Sequence, residues 1–222
     1  MAGDVIEPEG DSAAESAGDK PPGSFPVVGI GGSAGALEAA RDLLRGLPAG
    51  TGMGFVYVQH LDPTRKSILA EIFSRETSMP VVEATEGLKV NPNHVYILPP
   101  NRTMVISGGV LRLAERLLPA GLHLPIDEFL RSLADDQGPS GIAIVLSGAS
   151  SDGALGLQAV KQSGGITFAQ DDSAKHATMP HHAINTGAVD FVLPPRGIAE
   201  ELERIARHPY VRNDREELMK VF

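Results

Sequence analysis

Apolar residues in this chain fall into short runs separated by glycine-rich turns, and two periodicities alternate along it. Residues 25–30 (FPVVGI), 55–58 (FVYV) and 142–146 (IAIVL) are near-continuous aliphatic runs of strand length. Such runs suit strands covered on both faces. Residues 36–47 instead place Leu37, Ala40, Leu43 and Leu44 on one helical face. Residues 66–76, 126–134, 155–162 and 198–206 repeat that helical spacing, and a shorter helix is expected near 182–185. Further strands are predicted at 80–84, 95–98, 104–106, 110–113, 166–169 and 191–193. Ser107-Gly108-Gly109 between two of them reads as a hairpin. Gly164-Gly165 closes the 155–162 helix as a C-cap pair would.

Strands alternating with helices predict a doubly wound α/β domain: a mainly parallel sheet with helices on both faces and one small antiparallel hairpin. There is no internal repeat. Residues 1–24 are acidic and rich in Gly, Pro, Ala and Ser, which predicts a disordered leader. The folded domain is expected over 25–208. Residues 209–222 are a tail or the start of a following element, since the helical pattern from Arg215 stops without a capping signal.

Composition narrows the function. The 222 residues carry a net charge of −9, which argues against sequence-independent nucleic-acid binding and against a polybasic membrane patch. There is no cysteine, so disulfides, thiolate catalysis and cysteine metal sites are excluded. No apolar run approaches the roughly 18 residues of a membrane span, and the acidic N-terminus lacks signal-peptide character. A cytoplasmic protein is expected, with no direct membrane insertion. His94, His123, His176, His181, His182 and His208 show no ligand spacing, so no metal site is expected.

Ligands of open parallel sheets bind beyond the carboxyl ends of the strands. After VVGI comes Gly31-Gly32-Ser33-Ala34-Gly35, after FVYV comes Gln59-His60, and after IAIVL comes Ser147 through Asp152-Gly153. If these strands are neighbours, a serine, a histidine and an aspartate converge on one sheet edge. That is a nucleophile (Ser33), a general base (His60) and a carboxylate that fixes the base's tautomer (Asp152). The helix starting after Ser33 would aim free N–H groups at a developing oxyanion, from Ala34 and Gly35. Each residue also has a plainer reading. Ser33 could cap that helix, His60 could be a structural hydrogen-bonder, and Asp152 could cap the helix at Leu155. Gly29-Ile30-Gly31-Gly32-Ser33-Ala34 also fits a dinucleotide fingerprint, although Gln59-His60 stands where that fingerprint wants an acid.

The ordered set Gly31-Gly32-Ser33-Ala34-Gly35, Val58-Gln59-His60, Pro125-Ile126-Asp127, Ser147-Gly148 through Asp152-Gly153, Phe168-Ala169-Gln170 and Met179-Pro180 resembles the CheB-type catalytic domain of bacterial chemotaxis protein-glutamate methylesterases. The resemblance covers about residues 26–206. It implies a Ser33-His60-Asp152 triad, a contribution from the loop near Ala149 to the oxyanion site, and no cofactor. It implies hydrolysis of γ-glutamyl methyl esters on the cytoplasmic helical domain of a chemoreceptor, and deamidation of receptor glutamines by the same acyl-enzyme chemistry. The 24 leading residues are too few for a receiver domain. The stretch from His123 and the end of the chain resemble versions fused to a receptor methyltransferase domain, so a fused or separate methyltransferase is an expected partner. Ala34 stands where many members have Thr, and Leu124 where many have Arg. Ser150 stands where Gly is usual, and a positive φ there would strain it. These departures motivate an alternative, a catalytically weak regulatory or docking module of a chemosensory fusion protein. Asp171, Asp172, Lys175 and Met179–His182 are expected to form a mobile loop at the rim.

Overall fold

The computed structural model describes residues 25–59, 68–116 and 123–208. The leader at 1–24 and the tail at 209–222 therefore lie outside the described residues, as does His60. The elements run β1 (Val27–Gly32), α1 (Ala36–Gly46), β2 (Gly54–Gln59), α2 (Leu69–Phe73), β3 (Val81–Glu83), β4 (Leu88–Lys89), β5 (Val95–Ile97), β6 (Arg102–Ser107), β7 (Val110–Glu115), α3 (Pro125–Gln137), β8 (Gly141–Val145), α4 (Ala154–Gln162), β9 (Ile166–Gln170), α5 (Thr178–Asn185), β10 (Phe191–Leu193) and α6 (Pro195–Ala206). Among the described residues, a parallel sheet has the order β10-β9-β8-β1-β2-β5-β3, and a small antiparallel sheet has the order β4-β7-β6. The hairpin expected at residues 107–109 is β6-β7, with Gly108 at φ 61° and Gly109 at φ 70°. Positive φ at both central residues is the two-residue turn whose twist matches the flanking strands. The two-residue β4 was not foreseen, because an element so short has no periodicity to read.

The sheet separates two apolar cores. On one face Val28, Ile30, Phe55, Tyr57 and Ile144 pack against α1, α2 and α6. On the other Val27, Val56, Val58, Ala143 and Val145 pack against α3, α4, α5 and the small sheet. β1 is central, and its two core-facing glycines decide how close α3 comes. A Cβ at Gly29 would lie 2.7 Å from Leu130 Cδ2, and one at Gly31 would lie 2.3 Å from Ile126 Cγ2. Both distances are below any real carbon contact, so α3 rests directly on the strand backbone. These glycines lie inside β1 and not in the turn after it. Their role is packing, and this removes the basis of the dinucleotide fingerprint, whose first glycine belongs in the turn.

The contact of α3 with α4 brings two carboxylates to two helix starts. Asp152 accepts hydrogen bonds from the N–H groups of Ile126 (3.0 Å) and Asp127 (2.8 Å) in the first turn of α3. Asp127 in turn accepts from the N–H of Gly156 (2.7 Å) in the first turn of α4. Each acid thus caps the other's helix, satisfying donors that have no intrahelical partner. At the start of α4 the cap position is taken by Gly153, and the described helix-start donors that meet Asp152 are those of α3. A Cβ at Gly156 would lie 2.6 Å from Leu130 Cβ, so only glycine lets the helices cross this closely. Burial, and secondarily the charge of Asp152, raise the Asp127 carboxyl above its ordinary range, against the Gly156 N–H and Arg131, which lower it.

Two consequences can be measured. Gly31→Ala should destabilise the fold by about 1–3 kcal/mol through overpacking against Ile126; an unchanged denaturation midpoint would contradict the packing role. For Asp127 the raised folded value means that the folded state keeps the proton to higher pH than the unfolded state. Stability is then lost as pH rises from the ordinary aspartate value through the raised one. Asp127→Asn keeps an acceptor for Gly156 and removes that titration. It should melt higher than wild type at neutral pH, with the advantage disappearing below about pH 4, where the unfolded carboxyl is itself protonated. A lower melting temperature at pH 7 would count against this account.

Candidate active site

The three strands singled out by sequence are adjacent. β1 pairs in parallel with β2 on one side and with β8 on the other. Their carboxyl ends lead into the Ser33 turn, the Gln59-His60 segment and the loop holding Asp152. Gln59, the last residue of β2, lies opposite Gly32. Ser33 follows directly and is half-buried, and Asp152 is fully buried. The strand order therefore meets the condition on which convergence depended.

Ser33 is not the cap of α1. That position is Gly35, which has φ 74° and no side chain to cap with. A Cβ at Gly35 would lie 2.9 Å from both Ser147 Oγ and Lys175 Cβ, so the left-handed turn and the crowding both require glycine. Each peptide of the turn is oriented by a bond. The Ser33 N–H donates to Ser147 O (3.0 Å), and the Ala36 N–H donates to Ser33 O (3.1 Å). The Ser147 hydroxyl donates to Ala34 O (2.8 Å). With its N–H committed, Ser33 offers no backbone donor to a ligand. Among the described residues the N–H groups of Ala34, Gly35 and Ala149 meet no acceptor. Ala34 and Ala149 are exposed.

Ser147 and Gln170, which the sequence motifs include without assigning them a role, tie the candidate site together. Both are buried polar residues at the ends of apolar strands. Ser147 donates its N–H to Gln170 Oε1 (2.9 Å), and its Oγ accepts the N–H of His176 (2.9 Å). The Gly148 N–H donates to His176 O (2.9 Å), and the Met179 N–H to Gly148 O (2.9 Å). The segment expected as a rim loop is therefore laced to the strand end from which the Asp152 loop departs, and Met179–His182 belong to helix α5 instead. The available signal was a polar residue where strand burial predicts an apolar one, but its partners lie far away in sequence.

The departure at Ser150 is absorbed. Ser150 does not have positive φ; in this loop the left-handed residue is Gly153, at φ 92°. The expected strain is absent, and Ser150 Oγ accepts the Asp152 N–H at 3.3 Å. Leu124 is the residue before Pro125 at the start of α3, half-buried. Near β2, burial pushes the Tyr57 phenol well above its ordinary pKa, and its hydroxyl donates to Gln59 Oε1 (2.7 Å). It is a neutral donor that holds the residue preceding His60. Among the described residues no group of three or more His, Asp or Glu side chains could hold a metal. His181 Nε2 lies 3.3 Å from Asp172 Oδ1 on the surface. Beside Gly35 opens a groove of about 800 Å³, lined among others by Glu38, Asp42, Gln170, Lys175 and Arg196.

A family model described as CheB methylesterase matches residues 28–202. A protein-glutamate methylesterase/protein-glutamine glutaminase of Pseudomonas aeruginosa is 36% identical over 181 residues, covering 79% of this chain and 52% of that protein. The protein-glutamate methylesterase FrzG of Myxococcus xanthus is 33% identical over 177 residues, 79% of this chain and 53% of FrzG. The chain thus spans about half the length of the curated relatives it matches. The crystal structure of the Thermotoga maritima CheB methylesterase catalytic domain matches 82% of this chain and 99% of that one, with a TM-score of 0.75 and 29% identity. The order of motifs, the parallel sheet that presents them and a family model spanning most of the described residues all agree: the chain belongs to the CheB methylesterase family.

Proposed function

We propose that the chain is a serine hydrolase that removes methyl esters from glutamate side chains of methyl-accepting chemoreceptors. The observation that carries this is the order β8-β1-β2, which makes the Asp152 loop, the Ser33 turn and the segment entering His60 neighbours at one sheet edge. In this mechanism His60 takes the Ser33 proton as Oγ attacks the ester carbonyl. Asp152, whose carboxylate already accepts two α3 N–H groups, holds the tautomer of His60 and stabilises the imidazolium. The N–H groups of Ala34 and Gly35, with that of Ala149, are the donors to the oxyanion. Methanol leaves with the proton from His60, and water then releases the carboxylate from the acyl-enzyme. The same acyl chemistry accepts a glutamine amide, releasing ammonia, as the names of the relatives suggest.

The catalytic domain is taken as residues 25–208. No cofactor takes part. The substrate is a γ-glutamyl ester on the cytoplasmic helical domain of a receptor, and the groove beside Gly35, with acidic and basic groups on its walls, suits a charged helix surface. A cytoplasmic site of action follows from that substrate. No described helix is long and apolar enough to cross a membrane. A methyltransferase domain, fused or separate, is the proposed partner that makes the ester consumed here. The docking-module alternative loses one of its motives, since Ser150 is accommodated without strain.

Methanol release from a carboxymethylated chemoreceptor fragment tests the proposal. Ser33→Ala should lower kcat by about 10⁴-fold or more while leaving the melting temperature close to wild type. Methanol release by the variant at the wild-type rate would refute the assignment of Ser33.

A further inference from the structure

Ser147 is fully buried and lies beneath the nucleophile turn, and all of its polar atoms are used. Its N–H goes to Gln170, its carbonyl receives Ser33 N–H, and its hydroxyl spans Ala34 O and His176 N. The bond to Ala34 O is unlike the others. In a trans peptide the C=O and the following N–H point in opposite directions. Fixing the Ala34 carbonyl towards Ser147 therefore fixes the Gly35 N–H away from it, on the opposite side of that peptide. Glycine at Gly35 makes this peptide the easiest in the turn to rotate, because φ of either sign is open to it. The neighbouring Ser33–Ala34 peptide is held by the α1 bond from Ala36 N–H. The Ala34–Gly35 peptide has the Ser147 hydroxyl in that place.

We infer that Ser147 is a positioning residue for the ester-hydrolase site, its hydroxyl holding the Ala34–Gly35 peptide so that the Gly35 N–H faces the oxyanion. This rests on the function proposed above. Without the hydroxyl, the peptide samples both orientations and the donor is present only part of the time. Losing an oxyanion donor outright costs about 10²–10³ in kcat. A donor lost part of the time should cost less, while ground-state binding is hardly altered.

The experiment compares wild type with Ser147→Ala, Ser147→Thr and Ser147→Cys in methanol release from the carboxymethylated receptor fragment, with the amide resonance of Gly35 followed by NMR. The alanine variant is expected to lose about 10- to 100-fold in kcat with KM within about twofold. Threonine, which keeps the hydroxyl, should restore kcat to within a fewfold. The near-isosteric cysteine, a weak donor, serves if alanine does not fold and should also lower kcat with KM unchanged. The Gly35 resonance should broaden or double in the alanine or cysteine variant and stay single in the threonine variant, reporting peptide exchange without reference to turnover. Wild-type kcat in a folded alanine or cysteine variant would overturn the inference. So would a parallel rise in KM that threonine does not rescue, which a merely structural anchor for the His176 segment would give. If wild type released no methanol but the Gly35 resonance responded as described, the peptide hold would stand and the hydrolase proposal alone would fall.

Discussion

The seating of α3 on the backbone of β1 is the constraint from which the site follows. Gly29 and Gly31 offer no side chain, and Leu130 and Ile126 occupy the space where their Cβ atoms would be. That approach sets the first turn of α3 beside the loop after β8, where its N–H groups meet the Asp152 carboxylate. Burying a carboxylate costs several kcal/mol. A hydrogen bond to a charged group returns about 1.5–3 kcal/mol. Two such bonds and the positive end of the helix are therefore of the size needed to keep a fully buried aspartate in place. Move α3 outward by the width of a methyl group and the balance fails.

The same economy of contacts recurs at the turn after β1. There the strand ends are tied by backbone and by one buried hydroxyl, so the turn after β1 and the loop after β8 form a single bonded unit through Ser147. The His176 segment is joined to that unit on its far side. A misplacement of about 1 Å can cost about 10²-fold in rate, and the strand ends leading to Ser33 and to Asp152 belong to paired neighbours in the middle of one sheet.

Much of this was legible in the chain because the signals are local. Aliphatic runs gave β1, β2 and β8, and the 3.6-residue spacing gave α1 and α6. Gly164-Gly165 forms the C-cap anticipated for α4: Gly164 takes φ 83°, and Gly165 N–H reaches back to Val160 O at 2.9 Å. What sequence could not convey is non-local. Gly29 and Gly31 also fitted a dinucleotide fingerprint, and their packing role was not visible because their partner, α3, lies about a hundred residues on. The plainer reading of Asp152, a cap for the helix beside it, overlooks α3, whose first-turn N–H groups its carboxylate accepts. Ser147 and Gln170 looked like ordinary strand ends, since their worth lies in bonds to Ala34, His176 and each other. The concern over Ser150 assumed a backbone angle that Gly153 supplies three residues later.

The central claim is that this sheet edge makes Ser33, among all the serines of the chain, a nucleophile. Reaction with a serine-directed fluorophosphonate, followed by mass mapping of the adduct, tests it most directly. The account predicts one adduct, on Ser33, formed at a rate that falls steeply in Asp152→Ala; an adduct on another serine, or labelling of Ser33 that ignores Asp152, would contradict it.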